Sequence, residues 1–149
     1  MIKPVVQVYE IFIRTTPAEL WHALLDPEFT KKYFFGTLVK TDARKGSAIV
    51  YTFPNGAPCV DGEILECDPP RTLSHTWIIR YSPELAEERS VVTWSIEQRG
   101  ECCKLTATHE LSEAPKSAKH VATEGWSLVL SGLKTLLETG KALCVGAAS

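Results

Sequence analysis

Apolar positions recur every second residue through most of this chain and every third or fourth residue near its end. Val5–Arg14, reading VVQVYEIFIR, is rich in β-branched and aromatic residues and predicts a first strand. Thr16-Pro17-Ala18-Glu19 carries the signature of a capping box: Thr16 can cap, Pro17 suits the first helical position, and Glu19 can reach back. Leu20, Trp21, Leu24 and Leu25 share one face of the short helix that follows. Asp26-Pro27 opens a second helix by the same logic, running to about Phe34 and stopped by Gly36.

Strands dominate the middle. The segments Ala48–Phe53, Val60–Asp68, Thr72–Tyr81, Ser90–Arg99 and Cys102–Leu111 are separated by Pro-Asn-Gly, Asp-Pro-Pro, a Ser-Pro-Glu loop and Arg-Gly-Glu, with a further strand at Leu38–Ala43. Connections this short favour antiparallel hairpins, because parallel neighbours need long crossovers. Gly62, inside a strand, is expected to mark a bulge that helps the sheet curl.

From Ser117 onward the period becomes helical, and one long helix is expected from Ala118 to about Leu143. Ala122, Trp126, Val129, Leu133, Leu136 and Leu137 fall together, flanked by Val121, Gly125, Leu128 and Gly132. Such an arc is far wider than the stripe of a helix resting on a flat surface, so the helix must be contacted on more than one side. A sheet curving around it supplies that contact. The order β-α-α, then about six strands, then one long helix predicts a single α+β domain spanning 1–149.

Composition narrows the function classes. A chain of 149 residues is long enough for a core without metal or disulfide staples. Its net charge of −2 offers no broad field for gathering phosphates, so nucleic acid is not an expected partner. The five cysteines form no C-x-x-C pair and have no histidine spacing that completes a zinc site, which fits free thiols in a reducing compartment. No apolar run suits a signal peptide or a membrane span, so a cytoplasmic protein without membrane insertion is expected. No cofactor or metal is called for.

Strand alternation places Leu73, His75, Trp77, Ile79 and Tyr81 on one face, with Val92, Trp94 and Ile96 and then Leu105, Ala107, His109 and Leu111 on those of later strands. If these faces meet the helix, they line a cavity with aromatics and two imidazoles. The candidate ligand-binding residues are therefore His75, Trp77, Tyr81, Trp94, His109, Gly125, Trp126, Val129 and Gly132. Each indole has a competing role as core, and each of His75 and His109 as a hydrogen-bonded structural histidine. No Ser, Asp or Glu stands at a spacing that completes a triad, so no catalytic residue is assigned. His22 and His120 fall on helix surfaces. Two glycines in one helix need a reason: either a strand or a neighbouring chain approaches closely, which leaves a homodimer open, or an unfilled volume lies there.

The stretches TPAELWHALLDPEFTKKYFFG, VDGEILECDPPRTLSHTW, SVVTWSIEQRGECCKLTATHEL and EGWSLVLSGLKTLLE, in that order, resemble the START-like (SRPBCC) superfamily. The branch is that of the C-terminal domain of the activator of Hsp90 ATPase. Tyr33-Phe34-Phe35 stands where relatives often carry a Trp. The resemblance implies the helix-grip fold and a cavity between sheet and long helix. The wide helix arc, the aromatic strand faces and the absence of a catalytic constellation lead to a non-catalytic domain binding a small apolar molecule such as a lipid or polyketide. The alternatives are a polyketide-cyclase-like enzyme using the same cavity and, from the resemblance alone, a chaperone-interaction or stress-response module.

Overall fold

A computed structural model describes residues 5–121 and 125–144. Seven strands form one curved antiparallel sheet: β1 (Val6–Ile13), β2 (Leu38–Thr41), β3 (Ala48–Thr52), β4 (Pro58–Asp68), β5 (Thr72–Ile79), β6 (Ser90–Arg99) and β7 (Cys102–Glu110). Their spatial order is β1-β7-β6-β5-β4-β3-β2. Five of the six pairings join sequence neighbours, as short hairpin connections demand. The sixth brings β1 across to β7, with Val6 opposite Glu110 and Ile13 opposite Cys103.

Between β1 and β2 lie α1 (Pro17–Leu25) and α2 (Pro27–Tyr33). The Thr16 hydroxyl accepts from the Glu19 amide at 3.2 Å, but Glu19 does not complete the box by reaching the cap amide; its carboxylate accepts from the Thr15 hydroxyl instead. Asp26 caps α2 through the Glu28 amide at 2.7 Å. The chain leaves α2 through two consecutive left-handed residues, Phe35 (φ 52°) and Gly36 (φ 73°). For the phenylalanine that conformation costs about 1–2 kcal/mol.

The long C-terminal helix is present, and it ends at Thr139, short of the expected Leu143. The described residues give α3 (Pro115–Val121) and α4 (Gly125–Thr139). Residues 122–124, and with them Ala122 of the apolar arc, lie outside the described set. At its other end α4 stops at Thr139 because Gly140 turns left-handed (φ 78°) and its amide bonds the Leu136 carbonyl, a glycine C-cap.

One face of α4 presents Trp126, Val129, Leu130, Gly132, Leu133 and Leu136 to the core. Their side chains share one buried cluster with Leu20, Ala23 and Leu24 of α1, Tyr33 at the end of α2, Phe34 after it, and the inward strand residues Leu73, Trp77, Val92, Trp94, Leu105 and Ala107.

Two glycines do other work than expected. The bulge of β4 falls between Ile64 and Glu66, not at Gly62. A Cβ on Gly62 would stand 1.8 Å from the Thr76 carbonyl oxygen, so it is the close approach of β5 that requires glycine there. A Cβ on Gly132 would meet Tyr33 Cβ at 3.2 Å, so α2 fills the volume that an empty pocket would need. The close approach is made by a helix of the same chain.

Among the described residues no helix is long and apolar enough to cross a membrane, and no cluster of three His, Cys, Asp or Glu side chains suits a metal ion.

Candidate functional site

A cavity of about 370 Å³ opens between the sheet and the start of α4. Its floor is Trp77 and Ile79 of β5 with Cys59 and Val60 of β4; its roof is Trp126 and Val129 of α4; Phe34 closes one side. Phe34 stacks on Tyr51 (ring centroids 4.7 Å) and leans on Trp77 at 5.7 Å, and Trp77 lies 5.7 Å from Trp126. Aromatic side chains therefore make most of the wall, and their two-angle rigidity holds the space open at low entropic cost. At the mouth stand the half-exposed rings of Phe35 and Tyr81 with Phe53 beside them. The left-handed turn after α2 is what delivers Phe35 there.

The mouth also carries the site's polar pair. Tyr81 Oη and His120 Nε2 are 2.6 Å apart, joining the end of β5 to α3 across the opening. Glu88 fixes α3 from its other end, accepting from the amides of Lys116 and Ser117. Those bonds hold the Glu88 carboxyl below its ordinary range against the opposing effect of burial. Inside the cavity the Cys59 thiol is pushed up to about 11 by burial, so it stays protonated and unreactive at neutral pH. The Trp77 indole N–H is buried without a hydrogen-bond partner among the described residues, a burden of about 1–3 kcal/mol carried at the cavity wall.

Of the nine candidates, Trp77, Tyr81, Gly125, Trp126 and Val129 line this space. Trp94, His75 and His109 lie beneath it, and Gly132 faces Tyr33. The two histidines are occupied by two indoles. Trp94 Nε1 donates to His75 Nε2 at 3.1 Å, so His75 carries its proton on Nδ1 and donates it to the Thr76 carbonyl at 3.0 Å. Trp126 Nε1 donates to His109 Nδ1 at 3.1 Å, so His109 donates from Nε2 to Ser90 Oγ at 2.7 Å, and Ser90 in turn donates to the Trp77 carbonyl. Burial lowers each imidazole to about 4, and for His109 the neighbouring His75 adds to the effect. Each ring is thus neutral at pH 7, with both nitrogens engaged, and neither is free to move a proton.

This arrangement makes the second role of Trp94 testable. Trp94→Ala should cost about 3–5 kcal/mol, because it empties a fully packed site and strips His75 of its donor. Trp94→Phe, which keeps a six-membered ring but loses the five-membered ring with its N–H, should cost about half as much. Urea melts of the three proteins measure the two losses.

His120 is a cavity residue that its position on a helix surface conceals in the sequence, and Phe34, Phe35 and Phe53 join the lining beyond the nine candidates.

A curved antiparallel sheet gripping a helix over an aromatic cavity defines the chain as a helix-grip domain of the START-like class. The sequence model of the family described as activator of Hsp90 ATPase homolog 1-like protein matches residues 14–138, and the chain belongs to that family. Among solved structures it is similar to protein MLL2253 of Mesorhizobium loti, at 25% identity and a TM-score of 0.75 over 90% of this chain and 97% of that one. The Aha1 dimer of Colwellia psychrerythraea shares the fold at 21% identity and a TM-score of 0.72, covering 93% and 99%. DynU16, a putative protein of the dynemicin biosynthetic locus, shares it at 22% and 0.75, over 92% of this chain but 48% of that one. No curated protein matches the chain.

Proposed function

We propose that the domain is a non-catalytic, cytoplasmic binding protein for a small, largely apolar molecule held between β5 and α4. The observation that carries this reading is the aromatic-walled cavity of about 370 Å³ with its polar pair confined to the mouth, the usual design of a small-molecule site. No Lys or Arg lines it among the described residues, which favours an uncharged ligand, such as an aromatic polyketide, over a fatty acid whose carboxylate would be left unpaired. Removing 300 Å² of apolar ligand surface from water, at about 25 cal/mol per Å², yields about 7 kcal/mol before ordering costs. That supports binding in the micromolar-to-millimolar range.

A polyketide-cyclase-like enzyme in the same cavity is the second reading, and the Tyr81–His120 pair is what favours it: an acid and a base in contact where a substrate would enter. The neutral, fully bonded His75 and His109 and the protonated Cys59 favour binding alone. The relation to Hsp90 activators supports a chaperone-interaction module only by family.

Titration with 9,10-anthraquinone and with decanoate, read by tryptophan emission and melting temperature, tests the proposal. The quinone should quench Trp77 and Trp126, and at a hundredfold excess over its dissociation constant it should raise the melting point by about 5–10 °C. Decanoate should do so only weakly. Gly125→Leu, which projects into open space at the cavity edge, should weaken binding about tenfold while the protein stays folded. If neither compound moves either signal, the binding reading fails.

A further inference from the structure

The sheet has one guarded edge and one open edge. At β2 the Thr30 hydroxyl of α2 accepts from the Val39 amide and donates to the Thr37 carbonyl, so the helix covers the start of that edge. The other edge is β1. Because the Val5 carbonyl accepts from Leu111 of the β7 side, the odd-numbered residues of β1 direct their backbone inward to the sheet and the even-numbered ones direct theirs outward. At the C-terminal end of the outward row α4 again intervenes: Lys134 Nζ donates to the Phe12 carbonyl at 2.7 Å, and the Glu138 carboxylate accepts from the Arg14 amide at 2.8 Å. That leaves Val6, Val8 and Glu10, whose outward amides and carbonyls have no hydrogen-bond partner among the described residues.

The same segment carries exposed apolar side chains. Val5, Val6, Val8 and Phe12 are exposed at this edge, and Val8 is the most exposed large apolar residue described, at 56%. An open, β-branched edge strand is a template for a further strand, and natural edges are ordinarily blunted by charge or proline. Here Glu10 is the one charge, and it is already paired with Lys104 at 2.8 Å.

We infer that β1 pairs antiparallel with β1 of a second copy of this chain, about a two-fold axis at Val8. The open row decides both partner and register. It is three residues long and centred on Val8, so a two-fold there sets Val8 against Val8 and Val6 against Glu10 in both directions. Every outward group is then bonded, and nothing reaches the segment sealed by Lys134. A two-fold contact uses the open row of β1 on both copies, so the pairing closes as a dimer instead of propagating as a filament. The contact is short and lies at the low end of interface sizes, which makes the dimer reversible, with a dissociation constant on the order of 10 µM. The inference is independent of what the cavity binds.

Sedimentation velocity from about 1 to 500 µM should show a monomer–dimer equilibrium in that range. Val8→Lys places two ammonium groups across the axis and should weaken the dimer at least tenfold with little change in melting temperature. Val8→Pro, which removes only an outward N–H, should do the same. Register is read by cysteine trapping in a Cys144→Ser background. Facing Cα atoms of a hydrogen-bonded pair stand about 5.5 Å apart, within disulfide reach. Val8→Cys should therefore give a crosslinked dimer on mild oxidation, whereas Val6→Cys, facing Glu10 of its partner, should not. A chain monomeric throughout the range overturns the inference, as does a dimer indifferent to Val8→Lys or one trapped equally through both positions.

Discussion

Acidification from pH 7 to pH 4 is expected to remove about 6 kcal/mol of stability, enough to unfold many domains of this size. The source is the pair of buried imidazoles. In the folded protein His75 and His109 are held neutral, with values lowered to about 4; in the unfolded chain both return to about 6.5. Between those values the unfolded chain binds two more protons than the folded one, so stability is complete above pH 6.5 and falls as the pH drops. Each histidine contributes about 3 kcal/mol to the loss by pH 4, and the slope between pH 6 and 4.5 approaches about 2.7 kcal/mol per pH unit. Glu88, Glu110 and Glu138, whose carboxyls are held below their ordinary values by hydrogen bonds, act in the same direction at lower pH. They are exposed enough to solvent that their share is small. Urea melts at pH 7, 6, 5 and 4.5 measure the slope. His75→Gln and His109→Gln should each roughly halve it; a profile flat to pH 4.5, or one unchanged in both variants, rules this mechanism out.

The histidines also mark where sequence reading stopped. Alternation placed His75, Trp77, Trp94 and His109 on inward faces because period two is a property of each strand alone. The Trp94–His75 bond instead depends on register, with Leu73 opposite Trp94 and Val92 opposite His75, and alternation carries no register between strands. The Trp126–His109 bond depends in addition on where α4 crosses the sheet. His120 looked like a solvated helix position because its partner Tyr81 is 39 residues away and reached only through the closed fold. The end of α4 was different: Gly140 just past the last apolar residues is a legible stop signal, and the expected run to Leu143 passed over it.

Glycines posed the harder ambiguity, since an absent side chain states only that something else is close or that nothing is. At Gly132 the neighbour is Tyr33, and at Gly125 there is open space. Both sit on the same helix, and neither periodicity nor propensity distinguishes them.

Gly62 is the extreme case, and Gly62→Ala should cost about 3–5 kcal/mol, lowering the melting temperature by about 10–15 °C. The added methyl would stand 1.8 Å from the Thr76 carbonyl oxygen and 2.5 Å from its carbon. Those are backbone atoms, so no rotamer change relieves the contact and β4 must move away from β5. A hydrogen bond between the two strands fails with that movement: the Thr76 hydroxyl accepts from the Glu63 amide at 2.8 Å. Gly125→Ala supplies the control: its Cβ meets nothing within 4 Å, so the substitution should be neutral or stabilise by a few tenths of a kcal/mol through the unfolded state. Thermal melts of the two variants beside the parent decide the matter. A Gly62→Ala protein melting within about 3 °C of the parent, a loss of about 1 kcal/mol at most for this length, would show that β4 and β5 separate freely at this point.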